Sequence, residues 1–164
     1  MVKRNTFLLV VISLFFFAET QAQVSTRKLE AIYLYNFTKY INWQKATGSY
    51  TIGVLGDSDI AQELETNLKS KGGITVKTIN NVAEGKSCEI VYLPKAKSAS
   101  LADLVKTLSS QGVLIVTEDD LAAQGASVSF VLDGSKLRFK INQQALDNAG
   151  LQASSSLLSL AIVL

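Results

Sequence analysis

Residues 50–79 read Tyr50-Thr51-Ile52-Gly53-Val54-Leu55, then Gly56-Asp57-Ser58-Asp59, then Ile60 to Lys69, then Gly72-Gly73 and Ile74 to Ile79. The run from Tyr50 to Leu55 predicts a strand ended by Gly56-Asp57-Ser58. Ile60, Leu64 and Leu68 fall at i, i+4 and i+8, the spacing of a helix face, and Gly72-Gly73 stops that helix. Ile74 to Ile79 is a second strand. Strand, helix, strand favours a parallel pair joined by a right-handed crossover. The Gly-Asp-Ser-Asp turn has neither the GxGxxG spacing nor a Gly-Lys-Ser/Thr, so it makes no case for a phosphate cradle. Ser58 or Asp59 is instead the expected helix N-cap, a place such side chains favour.

Working outward, the alternation continues. Glu89 to Leu93 predicts a strand stopped by Pro94. Leu101, Leu104, Val105 and Leu108 predict a helix ended by Gln111-Gly112. Val113 to Val116 is a continuous apolar run, the mark of a strand buried on both faces of a parallel sheet. Then Val128 to Leu132, Asp133-Gly134 and Ser135 to Ile141 carry the Asp-Gly hairpin signal. A two-residue turn there sets Leu132 opposite Ser135, Phe130 opposite Leu137 and Val128 opposite Phe139. Asn142 is the expected N-cap of a helix closed by Gly150, and Ser154 to Ser156 cap a last helix that turns Leu157, Leu158 and Leu160 inward. The expected fold class is α/β: a three-layer α/β/α sandwich around a central mixed sheet, with an antiparallel hairpin near the C-terminal part.

Arg27 to Trp43 predicts a helix. At 100° per residue, Leu29, Ile32, Tyr33, Asn36, Tyr40 and Trp43 share a sector about 100° wide, the width of a core-facing stripe. Arg27, Glu30 and Thr38 lie elsewhere. Asn36 is the polar exception, read as a buried, hydrogen-bonded amide, with a ligand-facing amide as the other reading.

The first segment stands apart from the fold. Lys3 and Arg4 precede an apolar run from Thr6 to Ala18 that is too short to cross a bilayer and suits a secretory signal. Thr20-Gln21-Ala22 offers small residues for cleavage before Gln23. Residues 1–22 are thus expected to be a signal peptide and 23–164 a periplasmic domain without a membrane span; a retained N-terminal anchor is the other reading. Removing Lys3, Arg4 and Glu19 leaves 14 basic and 13 acidic residues. That balance is too neutral for a nucleic-acid binder, which carries a basic stripe.

Composition narrows the chemistry. The chain of 164 residues has no histidine and one cysteine. A Ser-His-Asp or Cys-His relay, an imidazole metal site and a multi-cysteine zinc site are excluded. Glu118-Asp119-Asp120 is an acidic cluster whose other oxygen ligands are not visible, so it reads as the start of a short helix. Ser25-Thr26-Arg27-Lys28 has Ser-x-x-Lys spacing without partner motifs and reads as chance. Cys88 stands unpaired within the chain and reads as a buried thiol packed as a small hydrophobe; a bridge between two chains is the other reading. Arg138, between Lys136 and Lys140, reads as a solvated strand face. No enzyme, metal or cofactor case emerges.

Tyr33-Leu34-Tyr35-Asn36-Phe37-Thr38-Lys39-Tyr40 through Trp43, Val54-Leu55-Gly56, Leu137-Arg138-Phe139-Lys140-Ile141-Asn142 and the closing Ser154 to Ala161 form a set. With Ala145 and Gly150-Leu151, it resembles the YfiR family of periplasmic regulatory proteins, over about Leu29 to Val163. The resemblance implies a non-enzymatic α/β domain that self-associates, as a homodimer. It further implies repression of a membrane-anchored diguanylate cyclase through the target's periplasmic region, or service as an input to a sensor histidine kinase. Cyclic-di-GMP signalling is the output in the first case. The alternative is a periplasmic small-molecule-binding sensory module. Two departures stand out. Gln44 replaces the proline that often follows the tryptophan. Gly53 stands where redox-regulated members carry a cysteine that pairs with the one matching Cys88, so no redox switch is carried over. Candidate partner- or ligand-binding residues are Tyr33, Asn36, Lys39, Trp43, Arg138 and Asn142. Trp43, Lys39 and Arg138 would form a contact patch; Tyr33, Asn36, Tyr40 and Arg138 would line a pocket.

Overall fold

The computed structural model describes residues 26–43 and 48–164. Residues 1–22, expected to be a signal peptide, and Ser25 and Gln44 lie outside the described residues. Helix α1 spans 26–40 and leads into β1 (Ile41–Asn42). There follow β2 (Tyr50–Leu55), α2 (Ser58–Leu68), β3 (Ile74–Ile79), β4 (Ile90–Leu93), α3 (Leu101–Leu108) and β5 (Leu114–Thr117). The C-terminal part holds β6 (Val128–Asp133), β7 (Lys136–Ile141), α4 (Gln143–Asn148), β8 (Gln152–Ala153), α5 (Ser155–Leu158) and β9 (Ile162–Val163).

Seven strands form one sheet in the order β3-β2-β4-β5-β6-β7-β9. The pairs from β3 to β6 are parallel, β6-β7 is antiparallel and β7-β9 is parallel, so the sheet is mixed. Side chains alternate between the two faces with the period of two that strand geometry imposes. On one face Ile52, Val54, Ile90, Tyr92, Leu114, Val116, Phe130 and Phe139 pack under α1, α2 and α4. On the other, Leu55, Ile79, Val91, Leu93, Val113 and Ile115 pack on α3. The α/β/α sandwich with its C-terminal hairpin is therefore the fold. β1 and β8 pair antiparallel as a separate ribbon, Ile41 opposite Ala153.

Three local expectations are corrected. The hairpin turn is Gly134-Ser135, with Leu132 opposite Leu137, Phe130 opposite Phe139 and Val128 opposite Ile141. Gly134 has φ 62°, and among the described residues no non-glycine has a positive φ. Glycine at the first central position alone suits a type II′ turn, whereas Asp133-Gly134 as the central pair would put Asp133 at positive φ. The slip is by two residues, so the two faces of the hairpin are as expected. The N-cap of α2 is Asp57, one residue before the predicted pair; its Oδ1 accepts from the Ile60 N–H at 2.9 Å. Ser154 caps α5 and Leu157 is buried, but Leu160 is exposed beyond the helix end.

The largest correction concerns α1. Leu29, Ile32 and Tyr40 are 42%, 41% and 46% exposed, while Arg27, Glu30, Ala31, Leu34, Phe37 and Thr38 are buried. Apolar residues occur on nearly every side of this helix, so periodicity supports two stripes. The sheet selects the one where Ala31 lets the helix approach and Phe37 meets Phe139 edge-on, ring centroids 5.3 Å apart. The helix ends at residue 40, and Trp43 reaches the core from extended chain, packed 5.5 Å from Tyr50.

Candidate functional site

β3 and β4 flank β2 on opposite sides, so the order of the parallel strands reverses at β2. In open α/β sheets, ligands occupy the crevice outside the carboxyl ends of the strands at such a point. Beside that point the first turn of α1 is tied to the ends of β4 and β5. Arg27 Nη1 donates to Glu30 Oε2 at 2.6 Å and also to the Tyr92 hydroxyl, and Arg27 Nη2 donates to Glu118 Oε1 at 2.8 Å. Tyr92 donates to Glu30 Oε2 at 2.9 Å, and Glu118 Oε2 accepts from the Lys95 N–H at 2.7 Å. Glu63 adds a longer ion pair to Arg27 Nε at 3.6 Å.

The electrostatics follow from counting charges. One guanidinium meets two close carboxylates, and Arg27 and Glu30 are only 3% and 2% exposed. Burial pushes the Glu30 carboxyl up to about 7, with Arg27 opposing the shift. Burial works against the charge on Arg27, but Tyr92, Glu30 and Glu118 hold its pKa above the ordinary value. Burial, and then Glu30, raise the Tyr92 hydroxyl. Burial thus favours the protonated form of Glu30. The cluster binds α1 to the ends of β4 and β5; it presents no nucleophile beside a base.

Beside it lies a crevice of about 390 Å³ lined by Glu30, Lys95, Glu118, Asp120, Phe130 and Leu137. The acidic cluster of residues 118–120 is engaged along its length: Asp119 pairs with Lys95 at 3.1 Å and Asp120 with Lys140 at 2.6 Å. A short helical turn (Ala122–Gln124) follows it. Among the described residues no group of three or more Cys, Asp or Glu side chains is placed to hold a metal ion.

The six residues singled out from the sequence fall into separate places. Tyr33 is half-buried, its hydroxyl donating to the Leu137 carbonyl at 3.2 Å and its ring 5.1 Å from Phe139. Asn36 is half-exposed and makes no side-chain hydrogen bond among the described residues, so the reading as a bonded buried amide is corrected. Lys39 Nζ stands 4.3 Å over the Tyr35 ring, with Lys71 Nζ 5.3 Å from the same ring. Trp43 is buried, and its indole N–H has no partner among the described residues. Arg138 pairs with Asp133 at 3.2 Å. Phe139 touches Tyr33, so its neighbour Arg138 lies on the opposite face of the sheet from α1. Asn142 caps α4, accepting from the Ala145 N–H at 2.9 Å and donating to the Ala122 carbonyl at 2.8 Å.

Asn36 and Lys39 therefore share the outward side of α1 while Tyr33 packs toward the sheet, and neither the patch with Arg138 nor the pocket with Arg138 is assembled. Sequence reasoning missed the buried Arg27–Glu30 pair and the exposed Leu29, Ile32 and Tyr40. One signal was present: an Arg-Glu pair at i, i+3 on the same side as Leu34, Phe37 and Ile41. Cys88 is buried, as expected of a thiol packed as a small hydrophobe. No helix among the described residues is long and apolar enough to cross a membrane.

Known proteins place this architecture. No protein of curated function matches the chain. Among solved structures, the ABC domain from Streptococcus pneumonia in complex with L-Trp aligns with a TM-score of 0.62 at 16% identity, covering 79% of this chain and 58% of that one. A conserved domain protein from Vibrio cholerae O1 biovar eltor str. N16961 aligns at 0.49 and 14% identity, covering 70% and 54%. The chain thus spans less than two thirds of either neighbour, and the first likeness is one of fold. The family described as YfiR/HmsC-like matches residues 27–162, from the buried arginine of α1 to the last strand. The chain belongs to the YfiR/HmsC-like family.

Proposed function

We propose that this chain is an exported, non-enzymatic regulatory protein that binds and represses a membrane-anchored signalling protein, a diguanylate cyclase or a sensor histidine kinase. Residues 1–22 direct export and 23–164 act in the periplasm. The observation that carries this reading is the outward side of α1, where Leu29, Ile32 and Tyr40 stand exposed on a family member whose polar Arg27 and Glu30 are buried. Contiguous exposed apolar surface marks interaction sites. Repression requires that the protein bind the inactive state of its target more tightly than the active state. Deleting the gene should raise cyclic-di-GMP or the phosphorylation output, and the full sequence should restore it while a copy lacking residues 1–22 should not. Unchanged output in the deletion strain overturns the reading.

A second reading rests on the crevice at the carboxyl ends of the strands. Its apolar wall, Phe130 and Leu137, faces the acidic residues 118–120. That arrangement suits a small molecule with an apolar body. A saturable thermal shift of the purified domain with amino acids such as L-tryptophan, in the absence of any protein target, would favour it.

A further inference from the structure

The exposed arc of α1 has a pattern of its own. Leu29, Ile32, Asn36 and Tyr40 follow one another at spacings of three, four and four residues, which aligns them in one ridge along the helix. From Leu29 to Tyr40 the ridge is about 17 Å long at 1.5 Å per residue. Lys28 and Lys39 border the ridge on one side, and Lys71 stands with Lys39 around Tyr35 on that same side. No acidic side chain lies on the exposed arc of α1; its one acidic residue, Glu30, is buried.

We propose that this ridge seats one amphipathic helix of the target's periplasmic region, a helix with an apolar stripe and acidic residues along one flank. The proposal rests on the regulatory reading above and names the partner's chemistry. Helix-in-groove recognition uses anchors at these spacings. The one-sided lysine rim supplies the charge complementarity that sets orientation and rejects wrong partners. Asn36 decides between occupants. It stands in the middle of the apolar ridge with donor and acceptor free, and burying it in hydrocarbon leaves both unsatisfied, whereas a protein helix can offer a matching polar group. A second copy of the chain fits less well: antiparallel pairing of two such ridges sets the Lys28 and Lys39 rims against each other, and like charges at an interface are costly.

The test is in-cell crosslinking with the full chain. Ile32→p-benzoylphenylalanine places a photoprobe on the ridge, and Lys106→p-benzoylphenylalanine places one on the exposed side of α3, across the sheet. Irradiation should join position 32, and not 106, to a periplasmic peptide of a membrane protein, and mass spectrometry should map it to a helical segment with acidic residues beside an apolar stripe. Lys39→Glu should lower the yield at least tenfold, and circular dichroism should show that variant folded. A position-32 adduct with lipid, or with a second copy, overturns the proposal. So does a membrane-protein adduct formed from 106 alone, which leaves the regulatory reading standing. If neither probe, nor lysine crosslinking of the unmodified chain, captures a membrane signalling protein, the regulatory reading falls and the ridge assignment with it.

Discussion

A Cβ placed on Gly53 lies 2.7 Å from Sγ of Cys88, with Ile79 Cγ2 at 3.1 Å closing the other side. A disulfide sets a Cβ roughly 3 Å from the partner sulfur, so a small rotation of Cys88 brings this pair into bonding geometry. The cysteine position that the resemblance associates with redox-regulated members coincides with this contact.

Gly53→Cys should therefore oxidise. The expected result is loss of both free thiols in the denatured variant under non-reducing conditions, against one in the parent. Closing that loop should stabilise by about 4 kcal/mol at most, less any strain, read as a reductant-dependent midpoint in urea. Gly53→Ala meets the same crowding without the bond and should cost about 1–3 kcal/mol.

Glu30 ties stability to pH. Its carboxyl is pushed up from 4.5 to about 7 in the folded chain. Between those values the folded state keeps a proton that the unfolded state has lost, so stability should fall as pH rises through that window and level off above it. The full span corresponds to about 3 kcal/mol. Urea midpoints from pH 4 to 8 should show this slope, and Glu30→Gln should remove it.

Arg27→Met tests the other side of the cluster. Removing the cation leaves the Glu30 carboxyl buried among Tyr92 and Glu118, and breaking a buried pair from one side costs about 3–5 kcal/mol. The double variant Arg27→Met, Glu30→Met should recover most of that loss in chemical denaturation.

The orientation of α1 can be checked directly. Phe37→Ala empties a fully buried site and should cost about 3–5 kcal/mol. Ile32→Ala and Asn36→Leu change exposed or half-exposed positions without partners and should stay within about 0.5 kcal/mol. The reverse ranking would mean that the helix is turned the other way.

Asn142→Ala should cost more than an ordinary helix cap, which is worth about 1 kcal/mol. Its amide also holds the Ala122 carbonyl, so a loss of about 2 kcal/mol is expected from thermal melts.

Much of the strand and helix order was legible because each element carries its own period. Residues 50–79, 90–93, 101–108 and 128–141 read correctly as strand, helix or hairpin, and Asn142 and Cys88 took their expected places. The hairpin turn slipped because Asp-Gly and Gly-Ser both satisfy local turn chemistry, and the choice depends on which residue must adopt positive φ. The candidate site was less legible. Tyr33, Asn36 and Lys39 all lie on α1, but Arg138 was separated from them by the alternation of a single strand.

From the chain alone came the α/β alternation, the parallel order of the early strands and the exclusion of histidine- and multi-cysteine-based chemistry, because these depend on residue type and local spacing. Only the tertiary structure decided which side of α1 faces the sheet. Its periodicity allowed two answers, and the choice fell to groups distant in sequence. Tyr92 and Glu118, carried to the same end of the sheet by the central strands β4 and β5, give Arg27 and Glu30 partners in the interior, and that leaves Leu29, Ile32 and Tyr40 facing out.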